Sequence, residues 1–173
     1  MRFKAATALR TACVDTALGR VRLAATDAGL AGLWFEGQQH SPPPDDVRRW
    51  ADDPAHPVLA EAAAQVRDYL AGTRARFDLP LDLSHGTAFQ QDVWRALVAI
   101  PRGGTVSYRA LGERIGRPAA VRAVGAAVGR NPISVVVPCH RVIGTDGRLT
   151  GYAGGLARKS ALLALEGVAG AAQ

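Results

Sequence analysis

Residues 133–143, ISVVVPCHRVI, set one cysteine beside a histidine and an arginine at the end of a β-branched run. A thiol is a weak nucleophile and its thiolate a strong one, and a neighbouring imidazole or cation lowers the thiol pKa. Cys139 has both next to it. Successive side chains diverge by roughly 100–180°, so a bridging water, rather than direct contact, is expected to carry a proton from Cys139 to His140. Residues 134–137 are predicted to form a buried strand, because β-branched side chains suit a covered, pleated surface. Pro138 cannot donate to a ladder and should end that strand, delivering Cys139, His140 and Arg141 at a rigid edge. An isolated Cys-His pair is more often an inert thiol beside a packed histidine, so the surroundings must decide.

The elements that would position this segment fall in the second half of the chain. Thr87 followed by Gln90 is a capping-box pattern. It opens a predicted helix over residues 89–100 with Phe89, Val93, Leu97 and Ile100 on one face. After the break at residues 101–104, Ser107 should cap a helix over 108–115, stopped by Gly116. A third helix is predicted from Pro118, a residue tolerated in a first turn, through Val128. Two helices joined by Gly116, Arg117 and Pro118 outline a helix-turn-helix. The third helix is rich in alanine and glycine, with Arg122 and Arg130 as its charges. Such a slim helix suits either tight packing or close approach to another backbone. Residues 142–149 are predicted as a hairpin turning at Asp146-Gly147, a wing beside the helix-turn-helix. A last helix over 156–166 ends at Gly167. Glu166 lies in its final turn, where the macrodipole disfavours an acid. That placement hints at use elsewhere, such as holding a histidine.

The first half shows no comparable chemistry. Residues 13–16, 19–26 and 30–35 alternate as short strands of a meander. Cys13 lies in the first, and a packed, unreactive thiol is its expected role. Residues 40–57 are loop-like, with three consecutive prolines and acidic pairs. A helix is predicted over 58–71 and another strand over 77–83. The fold class is therefore α/β (α+β). Residues 1–85 form a small domain with a short antiparallel sheet, and residues 86–173 a winged helix-turn-helix-like domain that carries the cysteine.

The 173 residues suffice for one large or two small domains with a real core. No apolar run reaches membrane-span length, the first fifteen residues do not read as a signal peptide, and two cysteines do not make a disulfide framework. A cytoplasmic location is expected. The net charge of +6 divides unevenly, −1 over residues 1–85 and +7 over 86–173. Such asymmetry suggests a polyanionic partner for the second half, although a general preference for surface arginine would produce it equally well.

Taken together, PCHRVIG at 138–144, RAVG at 122–125, Asn131-Pro132, FQQDVWRALVAIP and GGTVSY at 89–108, GYAGGLARK at 151–159 and LLALEG at 162–167 resemble the methylated-DNA–protein-cysteine methyltransferases, also called O6-alkylguanine-DNA alkyltransferases. The match spans the second half in the family's order and spacing. The first half resembles the family in length and α/β character only.

The resemblance implies DNA repair by irreversible, single-turnover transfer of the alkyl group of O6-alkylguanine to the protein's own cysteine, with O4-alkylthymine a second candidate substrate. Cys139 matches the acceptor, His140 the base that takes the thiol proton through a water, and Glu166 the carboxylate that orients it. Asn131 matches the residue tying the recognition helix to the active-site strand. Tyr108 matches the tyrosine that helps turn the nucleotide out, and Arg122 the arginine that enters the stack in its place. Ala123, Ala126, Ala127, Gly129 and Arg130 are assigned with them to the DNA face, entering the minor groove of a double-stranded partner. Pro138, Val142, Tyr152 and Ala153 are assigned to the base pocket, Ala153 standing where the family often has serine. No metal, no cofactor and no membrane partner are expected, and the protein should act as a monomer, with cooperation between neighbouring copies along DNA left open. Two other classes stay open: a module that recognises alkylated DNA without chemistry, against which Cys139 speaks, and a Cys-His-Glu hydrolase, against which the basic second half speaks.

Overall fold

A computed structural model describes residue 3 and residues 8–168. The amino-terminal stretch examined for a targeting signal lies partly outside the described residues. The chain divides into two compact units, one made of the residues up to His85 with Pro132–Ser134, the other of Gly86–Asn131 and the residues from Val135 onward.

In the first unit, alternating apolar residues build β1 (Arg10–Val14), β2 (Val21–Thr26) and β3 (Gly29–Phe35), paired antiparallel in succession. The predicted meander is present, with its first strand starting at Arg10 and ending at Val14 rather than running over 13–16. The sequence reading made residues 40–57 a loop, but they contain a one-turn helix α1 (Pro44–Val47) and a two-residue strand β4 (Ala51–Asp52) parallel to β1. Pro44 presets the helical φ, and Asp45 and Asp46 sit in the first turn where the helix dipole favours them. The sheet order is β3-β2-β1-β4. Helix α2 (Pro57–Leu70) buries Leu59, Ala62, Val66 and Tyr69 and packs against the sheet. Leu9, Ala24, Ala31 and Trp34 form a second apolar cluster with Phe3 and Trp50.

The strand predicted over 77–83 reduces to a single parallel bridge, Leu30 to Leu81. Pro80 has no N–H to offer a ladder. Its carbonyl accepts from Leu30 N at 2.8 Å, and Leu30 O accepts from Asp82 N at 2.8 Å. Pro132–Ser134 pairs with β3 in the same way: Leu33 N donates to Pro132 O at 2.8 Å and Ser134 N to Leu33 O at 3.0 Å. Cys13 is exposed rather than packed. It falls on the outward phase of β1, between buried Ala12 and Val14.

In the second unit, α3 (Ala88–Val98) begins with the full capping box, Thr87 Oγ1 accepting from Gln90 N and Gln90 Oε1 from Thr87 N. Ser107 caps α4 (Tyr108–Arg114) as expected, accepting from Ala110 N at 3.1 Å. Gly116 ends it at φ +69°. Helix α5 (Val121–Gly129) starts three residues later than the sequence reading placed it. Pro118 and Ala119 form a turn instead, with Ala120 N donating to Arg117 O. No side chain caps that end, so nothing local extends the helix back to Pro118. The three helices pack on one another, and the Trp94 indole donates to Ala127 O at 2.9 Å across the α3–α5 contact.

Two further expectations are corrected. Residues 134–137 are a buried turn rather than a strand, with Val135 at φ +71°. A β-branched residue in the left-handed region carries strain of about 1–3 kcal/mol, and here its neighbours on both sides are buried. The predicted hairpin keeps its turn but not its ladder. Asp146 Oδ1 accepts from Arg148 N, and Gly147 sits at φ +80°. The strand β6 (Val142–Ile143), however, pairs in parallel with β5 (Val106–Ser107). The last helix, α6 (Leu156–Leu165), ends at Glu166 and Gly167. No helix among the described residues is long and apolar enough to cross a membrane.

Candidate active site around Cys139

Pro138, at φ −82° and ψ 63°, is the centre of an inverse γ-turn in which Cys139 N donates to Val137 O at 2.8 Å. A single 3₁₀ turn over Cys139–Arg141 follows, closed by Arg141 N on Pro138 O. Chain direction thus changes twice within four residues, and the turn, rather than a strand edge, presents the cysteine. Asn131, just past α5, donates through Nδ2 to Val137 O at 2.7 Å and to Cys139 Sγ at 3.0 Å. One amide therefore fixes both the turn and the sulfur.

Cys139 is only 4% exposed. Burial pushes its thiol up to about 11, opposed by the Asn131 hydrogen bond and the nearby Lys159 charge. The lowering of the thiol pKa expected from the adjacent histidine and arginine is thus outweighed by burial. At pH 7 a group with that pKa is ionised in about one molecule in 10⁴.

His140 is wholly buried, and its Nε2 lies 2.6 Å from Glu166 Oε1. An ionised carboxylate can only accept, so Nε2 carries the proton of the neutral ring and Nδ1 the lone pair. Nδ1 has no hydrogen-bond partner. Burial lowers the histidine pKa; Glu166 opposes this, while Arg141 and Lys159 reinforce it. Glu166 also receives Arg141, Nε to Oε2 at 2.8 Å and Nη2 to Oε1 at 3.1 Å. Lys159 is fully buried, its ammonium donating to Val142 O at 2.5 Å and Thr150 O at 2.6 Å. Burial brings that amine down to about 8.

The structure brings Cys139, His140, Glu166 and Asn131 together. Pro138, Val142 and Tyr152 are buried around them, Tyr152 with its ring edge-on to His140 at 6.5 Å, and Ala153 is half-buried. Tyr108 is half-buried at the start of α4, its hydroxyl 3.4 Å from Thr150 Oγ1. Its ring crosses Gly125, where a Cβ would stand 3.7 Å away. Arg122, Ala123, Ala126 and Arg130 are exposed on α5 and just beyond it, with Gly129 half-buried. Ala127 is not on that face. It is 3% exposed, and its carbonyl accepts from the Trp94 indole of α3.

Sequence reasoning missed two residues. Lys159 lies on α6 and Glu166, seven residues on, caps its C-terminal end, with Leu162 and Leu163 between them, so all four share one buried face. A lysine inside an apolar stripe was the signal. Arg141 was noted beside the cysteine, but its bond to Glu166 spans 25 positions and leaves no local pattern. No group of three or more potential metal ligands occurs among the described residues.

Comparison with known proteins agrees with this arrangement. Residues 88–168 match the family described as 6-O-methylguanine DNA methyltransferase, DNA binding domain, and residues 9–83 match its ribonuclease-like domain. A methylated-DNA–protein-cysteine methyltransferase of Mycolicibacterium paratuberculosis is 49% identical, covering 88% of this chain and 89% of its own. The inducible enzyme of that name from Bacillus subtilis is 45% identical, covering 79% of this chain and 80% of its own. Among solved structures, Mycobacterium tuberculosis OGT in complex with DNA superposes with a TM-score of 0.80 at 46% identity, covering 91% of both chains.

Proposed function

This chain belongs to the methylated-DNA–protein-cysteine methyltransferase family, and we propose that it repairs O6-alkylguanine in double-stranded DNA by taking the alkyl group onto Cys139 once per molecule. The observation that carries this reading is a buried thiol held by Asn131 next to a His140–Glu166 pair whose Nδ1 is bare.

The chemistry follows from the protonation states. As the alkyl carbon meets Sγ, the thiol proton passes to Nδ1 of His140, through a water where the two do not touch. Glu166 stabilises the resulting imidazolium through Nε2. A carbon–sulfur bond forms, the carbon–oxygen bond of the lesion breaks, and the departing guanine takes up a proton. The product is a thioether, which nothing in the site can displace, so the protein is consumed. With the thiol held near 11, ionisation is coupled to arrival of the lesion, and the buried Lys159 charge favours the anion when it forms. A hydrolase built on a resting thiolate–imidazolium pair would need the opposite poise.

The sulfur of a cysteine only 4% exposed cannot reach a base inside a stack. The nucleotide must therefore turn out, at a cost of a few kcal/mol that a lesion reduces. In this reading Tyr108, half-buried at the start of α4, helps rotate the nucleotide, and Arg122, exposed on α5, fills the gap. The exposed small residues Ala123 and Ala126 let that helix approach the narrow minor groove.

Incubation with duplex DNA carrying labelled O6-methylguanine should leave one label per protein, on Cys139. Cys139→Ala should bind the same DNA and take up none. Label elsewhere, or repeated turnover, would refute the reading.

A further inference from the structure

The proposed transfer needs His140 to be neutral and bare at Nδ1 when the lesion arrives. A buried histidine 2.6 Å from a carboxylate would ordinarily tend towards the imidazolium, because an adjacent negative charge favours the protonated form. A charged histidine could not accept the thiol proton.

The groups facing His140 are Glu166 and Lys159 from α6, Cys139 and Arg141 from its own 3₁₀ turn, and Tyr152 from the preceding loop. Arg102 reaches the same helix end but donates to Leu165 O, at 2.6 Å. Arg141 engages both oxygens of Glu166. Its remaining arm, Nη1, donates to Ile100 O at 2.5 Å. The guanidinium is a planar, positively charged fork that matches a carboxylate bidentately.

We infer that Arg141 is a positioning residue for the proposed reaction: by holding Glu166 as a neutralised, fixed carboxylate, it keeps His140 uncharged at rest and its Nδ1 free of a proton. Arg141 does not touch the reacting atoms. It acts through Glu166, setting which way the carboxylate faces and how strongly it calls for a proton on the ring. The inference rests on the alkyl-transfer reading for its purpose, though not for its geometry.

Two measurements test it. Nitrogen-resolved NMR of His140 in the unaltered protein should show the neutral Nε2–H tautomer at pH 7. An imidazolium or an Nδ1–H tautomer at that pH would overturn the inference, whether or not the protein transfers alkyl groups. The second measurement is the pH profile of Cys139 alkylation by O6-methylguanine duplex. In Arg141→Gln, Glu166 regains its unbalanced charge and the histidine holds its proton to higher pH. The acid limb should then move up by about one unit, a roughly tenfold loss at the low-pH end. Arg141→Lys keeps the charge without the fork, so its acid limb should stay in place while the rate falls at every pH. If Gln and Lys variants both lose rate uniformly with an unmoved limb, Arg141 is merely structural. If Gln does not fold, the NMR tautomer and the Lys profile still decide. Absence of transfer in the unaltered protein, with the tautomer as expected, would sink the proposed function and leave the geometry of Arg141 standing.

Discussion

Two cysteines in one chain give opposite environments to the same side chain. Cys13 is exposed on β1, whereas Cys139 is buried with its thiol at about 11. A thiol-directed alkylating reagent at pH 7 should therefore modify Cys13 and spare Cys139 in the native protein, as peptide mass mapping would show. Labelling of Cys139 should rise only as the pH nears 11. The raised value also fixes the sign of its contribution to folding. It is present below the ordinary thiol value of 9.0 and is lost as the pH climbs from there through about 11. At this scale Cys139, His140 and Glu166 were legible, Glu166 because an acid at a helix C-terminus is locally out of place. Arg141 and Lys159 were not, since a buried charge is recognised by its partners, and those are 25 positions from Arg141 and 9 to 17 from Lys159.

Elements announced by periodicity or by caps were readable: α3 from its capping box, α2 and α6 from their apolar faces, β1 to β3 from alternation. Elements without a local signature were not. A β-branched run such as residues 134–137 fits a buried turn as well as a strand, because periodicity cannot separate them over four positions. The parallel β5–β6 pair joins two-residue segments 36 apart at Val106 and Val142, too short for any pattern. Helix α5 makes the sharpest test at this level, since adjacent alanines face opposite ways. Ala127→Leu should destabilise the protein by about 1–3 kcal/mol through overpacking against α3, read from the urea midpoint. Ala126→Leu should leave that midpoint almost unchanged and weaken duplex binding in a titration.

For the molecule as a whole, the charge division is informative. The second half carries +7 and the first −1, and the exposed Arg122 and Arg130 lie on or just beyond α5. If binding is led by phosphate neutralisation, affinity for unmodified duplex should fall linearly on a log–log plot against salt. Arg130→Ala should then reduce the slope by about one counterion without changing sequence preference.

The three residues Pro132–Ser134 bear on what counts as a part of this protein. They leave the second unit, pair with Leu33, and return immediately before the turn that carries the nucleophile. A chain laced in this way cannot be dissected at a single bond. Any fragment beginning at Gly86 takes away the edge partner of β3, and any fragment ending at His85 is left without it. The acidic half is thus more than a neighbour in sequence, because its sheet anchors the residues that lead into Val135 and, four positions later, the sulfur.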